Sequence, residues 1–163
     1  MTDSELYLLA ETVGRALLSR GWVLASAESC TGGWISAAVT AVPGSSAWFD
    51  RGFVTYSNAA KRELLGVRAE TLSHHGAVSE VVVREMVAGA LAHSRAQAAL
   101  AVSGVAGPGG GAPDKPVGTV WFAWALDGGG VTTGKYAFDG GREAVRRQAV
   151  QAALTGLLAR LAA

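Results

Sequence analysis

The sequence predicts a single α/β domain built as a three-layer α/β/α sandwich around a mixed β-sheet. Near both ends of the chain, apolar residues recur at steps of three and four, as on one face of a helix. Short apolar runs alternate with helical patterns through the first hundred residues, which favours parallel strands, and two later strand-like runs flank a glycine-rich turn. Because the chain has 163 residues and half of them are apolar, one domain over 1–163 is expected.

The first predicted element is a helix that ends at about Arg20. Thr2 and Glu5 have the spacing of a capping box, and Gly21 is suited to end the helix. Its apolar positions are Leu6, Leu9, Val13 and Leu17. The pattern therefore predicts a helix with one face turned toward the core.

The remaining elements follow from apolar runs, turn residues and caps. A buried strand is predicted at Trp22–Ser26, then a turn over 28–33 and a helix over Trp34–Ala41. Further along, the predictions are a strand over 48–56, a helix over 59–65, a helix capped by Ser79 and reaching about His93, a strand over 98–103, a hairpin of 117–126 with 131–138, and a last helix capped by Asp139. Helices thus alternate with strands early, and an antiparallel pair completes the sheet.

Charge and composition exclude several kinds of partner. Fourteen basic and thirteen acidic residues leave a net charge of +1, so neither a nucleic acid nor an anionic membrane is expected as a partner. The single cysteine, Cys30, has no partner for an internal disulfide, and the acidic start of the chain is unlike a signal peptide. We expect a cytoplasmic protein.

The segment Ser29–Gly33 is the first candidate for chemistry. It leaves a predicted strand and enters a predicted helix, where unpaired N–H groups favour developing negative charge. Ser29 or Thr31 could serve as a nucleophile there. From spacing alone, a helix cap is the more common role of such hydroxyl groups.

A second candidate is the glycine-rich segment from Ser103 to Gly111, which also follows a strand. A dinucleotide fingerprint would have to open a helix, and Pro113 and Pro116 disfavour one at this position. We interpret the segment as a loop that lines a ligand site.

Lys61 follows Tyr56-Ser57-Asn58 at the start of a predicted helix, on the kind of edge that also presents Ser29. A lysine acts as a general base only when its pKa falls from about 10.4 toward neutrality, and most lysines are instead solvated surface groups. His74, His75 and His93 lack the spacing of metal ligands, so no metal ion is expected.

A phosphate site is plausible at Asp139-Gly140-Gly141-Arg142. Free amides at a helix N-terminus together with Arg142 suit a phosphate, and Arg146 follows one turn later. Surface charge is an equally good interpretation of Arg146 and Arg147.

Taken together, four motifs resemble the CinA C-terminal domain family. They are Ala27-Glu28-Ser29-Cys30-Thr31-Gly32-Gly33, Phe53-Val54-Thr55-Tyr56-Ser57-Asn58 with Lys61, Ser103-Gly104 through Gly110, and Lys115-Pro116-Val117-Gly118-Thr119-Val120. The resemblance extends over nearly the whole chain. It implies an amidohydrolase that converts nicotinamide mononucleotide to nicotinic acid mononucleotide and ammonia, without a cofactor.

The resemblance also implies roles for individual residues. Ser29 is expected to be the nucleophile, assisted by Lys61 and Tyr56. The residues expected to line the substrate site are Thr31, Gly32, Gly33, Ser103, Gly104 and Arg142.

Two other functions stay open at this stage. One is a nucleotide-binding regulatory module without hydrolysis, related to competence or DNA damage, as the name of the wider family suggests. The other is a structural domain in which the loop hydroxyls are only caps. The five tryptophans fit either core packing or an interface in a homo-oligomer.

Overall fold

The computed structural model describes residues 1–163 and contains six α-helices and five β-strands. In chain order they are α1 (Asp3–Arg20), β1 (Leu24–Glu28), α2 (Trp34–Thr40), β2 (Phe49–Val54), α3 (Asn58–Leu65), α4 (Ala69–His75), α5 (Glu80–Ala92), β3 (Ala98–Gly104), β4 (Thr119–Leu126), β5 (Gly130–Ala137) and α6 (Arg142–Ala162). A short 3₁₀ helix, Ser45–Ala47, precedes β2.

The five strands form one mixed sheet in the order β2-β1-β3-β4-β5. β1 pairs in parallel with both β2 and β3, whereas β3–β4 and β4–β5 are antiparallel. The prediction of a mixed sheet closed by a late hairpin is confirmed. Because β1, β2 and β3 run in the same direction, the loops that follow them meet at one edge of the sheet.

Helices cover both faces of the sheet, which confirms the three layers. One face presents large side chains such as Leu100, Phe122 and Trp124 to α1, α2 and α6. The opposite face presents mainly alanines, and these pack with the valines and Met86 of α5. The six sheet alanines of that face are Ala25, Ala27, Ala99, Ala101, Ala123 and Ala125. Alternation of side chains along each strand produces this division.

Most predicted helix ends are confirmed. Thr2 and Glu5 form the capping box of α1, Gly21 ends that helix in the left-handed conformation, and the Ser79 hydroxyl accepts from the Val82 N–H group at the start of α5. The prediction that Asp139 caps the last helix is wrong. Helix α6 begins only at Arg142 after Gly141, which offers no side chain for a cap.

Other boundaries differ because turns take the terminal residues. The N–H group of Trp22 donates to the carbonyl of Leu17, so Trp22 lies in the turn that follows α1 and β1 starts at Leu24. The N–H group of Thr119 donates to the carbonyl of Pro116, so a turn delays β4 until Thr119. Helix α4 was not predicted, since its sequence lacks an apolar stripe.

The length and hydropathy of a helix decide whether it could span a membrane. None of the helices is both long enough and apolar enough to cross a bilayer.

Candidate active site

A cleft of about 330 Å³ lies at the edge of the sheet where β1, β2 and β3 end. Its walls come from the turn after β1, the start of α3 with the residue before its cap, residues 77–78 before α5, and the first residue of α6. The remaining wall is the end of β3 with the loop that follows it, together called loop 103–110. Parallel pairing of three strands is what brings these separate segments together.

Ser29 and Lys61 meet at the floor of this cleft. The Nζ atom of Lys61 lies 2.9 Å from the Oγ atom of Ser29. Nζ also donates to the carbonyl oxygen atoms of Thr55, at 2.9 Å, and Tyr56, at 3.3 Å. Lys61 is only 1% exposed, so the alternative of a solvated surface lysine is wrong.

The surroundings of Lys61 favour a neutral amine. Burial lowers the pKa of Lys61 below its ordinary 10.5, and its three hydrogen-bond partners are uncharged oxygen atoms. In the neutral form, two N–H groups point to the carbonyls of Thr55 and Tyr56, and the lone pair faces the Ser29 hydroxyl. This arrangement is that of a serine nucleophile beside a general base.

Cys30, next to the nucleophile candidate, is held as a thiol. Burial raises the pKa of Cys30 to about 11. Its N–H group lies in the turn after β1 and has no oxygen acceptor within the chain. Cys30 lines the cleft while its side chain packs in the hydrophobic core, so its backbone is the part turned to a ligand.

Glu28 is a buried group of this site that sequence reasoning missed. Its carboxylate accepts from the Thr31 hydroxyl at 2.6 Å and from the Ile35 N–H group at 2.8 Å. It also accepts from the N–H and hydroxyl groups of Ser36, at 3.0 and 2.9 Å. A glutamate at the end of an apolar strand, before two glycines and a helix, was the signal that could have revealed it.

Thr31, Gly32 and Gly33 lie in the turn but not among the residues that line the cleft. The Thr31 side chain is fully buried and gives its hydroxyl hydrogen to Glu28. Gly33 precedes α2 with a φ of +101°, a conformation that side chains other than glycine rarely adopt. The three residues shape the turn that carries Ser29.

Ser103 and Gly104 do line the cleft, beside the Ser29 turn, whose Ser29 N–H group donates to the carbonyl of Val102. The Ser103 hydroxyl donates to the carbonyl of Ala77 at 2.9 Å, which ties loop 103–110 to the segment before α5. A Cβ atom at Gly104 would lie only 2.6 Å from the Val120 side chain, so the close approach of β4 requires glycine there.

Tyr56 and Arg142 close the outer side of the cleft. The Arg142 guanidinium donates to the Tyr56 hydroxyl at 3.0 Å and to the carbonyl of Gly107 at 2.8 Å. Tyr56 thus contacts Lys61 through its backbone carbonyl, whereas its hydroxyl faces Arg142. Arg142 is exposed, so a ligand can reach it.

Arg146 does not line the cleft. Its guanidinium donates to the carbonyl oxygen atoms of Cys30 and Thr31, at 3.1 and 3.0 Å, and lies over the Trp34 ring. It braces the Ser29 turn from behind, in contrast to both interpretations of Arg146 from the sequence. No group of three or more His, Cys, Asp or Glu side chains is placed to hold a metal ion.

Fold and site together define an α/β sandwich whose sheet edge carries a buried serine–lysine pair in a cleft of small-molecule size. The chain belongs to the CinA C-terminal domain family, whose pattern matches residues 7–161.

Individual relatives agree with this assignment. The chain is 59% identical over 157 residues to nicotinamide-nucleotide amidohydrolase PncC of Escherichia coli K12, covering 96% of this chain and 95% of the relative. It is 58% identical over 150 residues to PncC of Pseudomonas putida, covering 92% and 93%. The crystal structure of the competence/damage inducible protein CihA from Agrobacterium tumefaciens superposes with a TM-score of 0.94 at 45% identity, covering 100% of this chain and 98% of that one.

Proposed function

We propose that the chain is a nicotinamide-nucleotide amidohydrolase that converts nicotinamide mononucleotide to nicotinic acid mononucleotide and ammonia, with Ser29 as nucleophile. The observation that carries the mechanism is the 2.9 Å contact between the Oγ atom of Ser29 and the buried amine of Lys61. The names of the PncC relatives support the substrate, since they are similar to this chain over nearly its whole length.

In the first step, the Oγ atom of Ser29 attacks the carboxamide carbon of the substrate. The neutral amine of Lys61 takes the hydroxyl proton as the new C–O bond forms. The electron-withdrawing pyridinium ring of the substrate makes the carboxamide carbon more electrophilic. The product of this step is a tetrahedral intermediate with a negative oxygen atom.

The turn after β1 supplies a donor for that oxygen atom. The Cys30 N–H group is free of other acceptors and directly follows Ser29 in the chain. A preorganised donor of this kind acts on the charge that develops during the reaction, and removal of one such donor costs about 10²–10³-fold in rate in other hydrolases.

Collapse of the intermediate breaks the C–N bond. The Lys61 ammonium returns its proton to the departing nitrogen atom, which leaves as ammonia, and an ester to Ser29 remains. Water then attacks the ester while Lys61 takes a proton from it. Cleavage of the ester passes this proton to the Ser29 oxygen atom, which restores the hydroxyl and the neutral amine, and the carboxylic acid product gives its own proton to water to become the carboxylate.

Arg142 and the glycine-rich loop are suited to the substrate phosphate. Arg142 lies at the start of α6 beside the cleft, and the N–H groups of Gly107 and Gly109 in the facing loop have no acceptor within the chain. Charged donors and free amides of this kind bind phosphate, and the remote contact orients the carboxamide at Ser29.

The reaction needs neither a cofactor nor a metal ion as written. Its substrate is a small cellular metabolite, in keeping with the cytoplasmic location predicted from the sequence.

The direct test is to incubate the purified protein with nicotinamide mononucleotide, with and without a chelator, and to measure ammonia and the deamidated nucleotide. Equimolar release of both products, unchanged by the chelator, is the expected result. Binding of the nucleotide without ammonia release would instead favour the regulatory module, and loss of activity with the chelator would refute the metal-free mechanism.

A further inference from the structure

Glu28 is a buried carboxylate that lies directly before the proposed nucleophile. Its side chain is fully buried, and four donors within 3.0 Å saturate its two oxygen atoms. None of these donors is a cationic side chain. A carboxylate with this many short hydrogen bonds is fixed in position, because a displacement that broke them together would leave buried polar groups unpaired.

These bonds replace the missing cap of α2. Gly33 occupies the capping position of α2 and has no side chain, so the first N–H groups of the helix need another acceptor. The carboxylate of Glu28 reaches across from the end of β1 and accepts from Ile35 and Ser36, the second and third residues of the helix. The Thr31 hydroxyl, in the middle of the turn, binds the same carboxylate.

Glu28 therefore holds the turn 29–33 at both ends. Its backbone precedes the turn at the end of β1, and its carboxylate binds the start of α2 after the turn. Ser29 and the free N–H group of Cys30 lie between the attachment to β1 and the attachment to Thr31. The backbone carbonyl of Glu28 also accepts from the Thr55 N–H group at 2.8 Å, and the carbonyl of Thr55 is a partner of Lys61. Glu28 thus connects the Ser29 turn with the segment that orients the amine.

We infer that Glu28 is a positioning residue for the proposed hydrolysis, whose carboxylate sets the distance between the Ser29 hydroxyl, the Cys30 N–H group and the Lys61 amine. It does not touch the substrate, since it lies outside the lining of the cleft. The inference rests on the proposed function. It predicts that damage to the carboxylate lowers the rate of chemistry at nearly unchanged substrate binding.

Glutamine is the informative replacement because it keeps the size of the side chain. Both carboxylate oxygen atoms of Glu28 accept from a backbone N–H group, one from Ile35 and the other from Ser36. The NH₂ group of a glutamine must face one of these two N–H groups, and two donors cannot pair. The turn must shift to relieve that contact, although its apolar packing is intact.

The experiment compares Glu28→Gln with the parent and with Ser36→Ala on nicotinamide mononucleotide. All three proteins are assayed at a temperature at which circular dichroism shows each to be folded. For Glu28→Gln, kcat is expected to fall by up to about 10²-fold, as for small displacements of reacting groups. KM and the pH midpoint of kcat/KM should stay near the parent values. Ser36→Ala removes one hydroxyl but leaves the carboxylate and both N–H contacts, so it should retain most of the parent kcat.

Each other outcome has a definite meaning. A folded Glu28→Gln protein with the parent kcat and a lower Tm would overturn the inference, because the carboxylate would then serve stability alone. A shifted pH midpoint would also overturn it, since Glu28 would then act on the ionisation of Lys61. An inactive parent would instead refute the proposed function.

Should Glu28→Gln fail to fold, Thr31→Val decides the question. Valine has nearly the shape of threonine and removes only the 2.6 Å bond to the carboxylate. A lower kcat at unchanged KM supports the positioning role, and the parent kcat in this variant contradicts it.

Discussion

Glu28 and Lys61 are both buried and both adjoin Ser29, but the protein surrounds them in opposite ways. Four hydrogen-bond donors surround the Glu28 carboxylate, and both of its oxygen atoms are paired. Three uncharged oxygen atoms surround the Lys61 amine, and burial lowers its pKa. The fully hydrogen-bonded Glu28 side chain therefore holds the structure in place. The Lys61 amine has no counter-charge beside it, so it can accept and release a proton during the reaction.

The same contrast explains which hydroxyl group is reactive. The Thr31 hydroxyl is bound to Glu28, and the Ser103 hydroxyl is bound to the carbonyl of Ala77. Ser29 alone among these three has a basic nitrogen atom as its partner. Thr31, the alternative nucleophile that the sequence left open, is therefore engaged in a structural contact, and so is Ser103.

The largest effect is expected from Ser29→Ala, which removes the proposed nucleophile. Turnover of nicotinamide mononucleotide should fall by at least about 10³-fold, as for nucleophile removal in other hydrolases. Binding of the nucleotide, measured by calorimetry, should be largely kept, because only one oxygen atom is lost from the loop. Most of the activity remaining in this variant would contradict the assignment and direct attention to Thr31 or Ser103.

Lys61→Met tests the role of the Lys61 amine as a general base. Methionine keeps much of the stem but cannot accept a proton, so kcat should fall by at least roughly 10²-fold, a typical contribution of general-base catalysis. In the parent, kcat/KM should rise with pH through the lowered pKa of Lys61, because the neutral amine is the active form. A normal kcat with a changed KM would make Lys61 a binding residue.

Arg142→Ala tests the proposed phosphate site. Loss of a charge-assisted contact should weaken binding of nicotinamide mononucleotide by about 1.5–3 kcal/mol. Any hydrolysis of nicotinamide riboside, which lacks the phosphate, should change less. Both substrates are compared at fixed ionic strength, because salt screens surface charges.

Arg147→Ala is the matched control for Arg142→Ala. Arg147 lies one and a half turns further along α6 and pairs with Asp3 and Glu143 at the surface, outside the cleft. Its replacement should leave both activities near the parent level. Equal losses on both substrates in Arg142→Ala would mean that Arg142 supports loop 103–110 through Gly107 and does not bind phosphate.

The smallest expected effect is on stability as a function of pH. Burial favours the neutral amine of Lys61 in the folded protein, so the unfolded chain binds more protons between the lowered pKa and about 10.5. The free energy of unfolding should therefore gain a positive slope with pH in that window. Urea titrations of the parent and Lys61→Met should differ in this slope, and identical slopes would show that Lys61 is charged in the folded state.

Several elements were predictable because their signals are local. The capping box of α1, the Ser79 cap of α5 and the apolar runs of β1 and β3 depend on residues close together in the chain, and all are confirmed. The Asp139 cap was predicted by the same local logic and is wrong, because α6 starts only after Gly140 and Gly141. Helix α4 has seven residues and no apolar stripe, so its sequence gave little indication.

The candidate site was only partly predictable. The structure brings Ser29, Lys61, Ser103 and Arg142, which the motifs named as candidates, to one cleft. Placing Thr31, Gly32 and Gly33 in the turn behind the cleft required the path of the backbone. The bracing contact of Arg146 on the Ser29 turn joins residues more than a hundred positions apart, which no local pattern reveals.

The sequence by itself determined the α/β class, the order of most elements and the segments in which chemistry could occur, because periodicity, caps and turns act over a few residues. Only the tertiary structure decided that Lys61 faces Ser29, 32 positions away, and that Glu28 binds the start of α2. The physical reason is that the ionisation and hydrogen bonding of a side chain depend on burial and on its neighbours in space. Those neighbours are set by the pairing of β1 with β2 and β3.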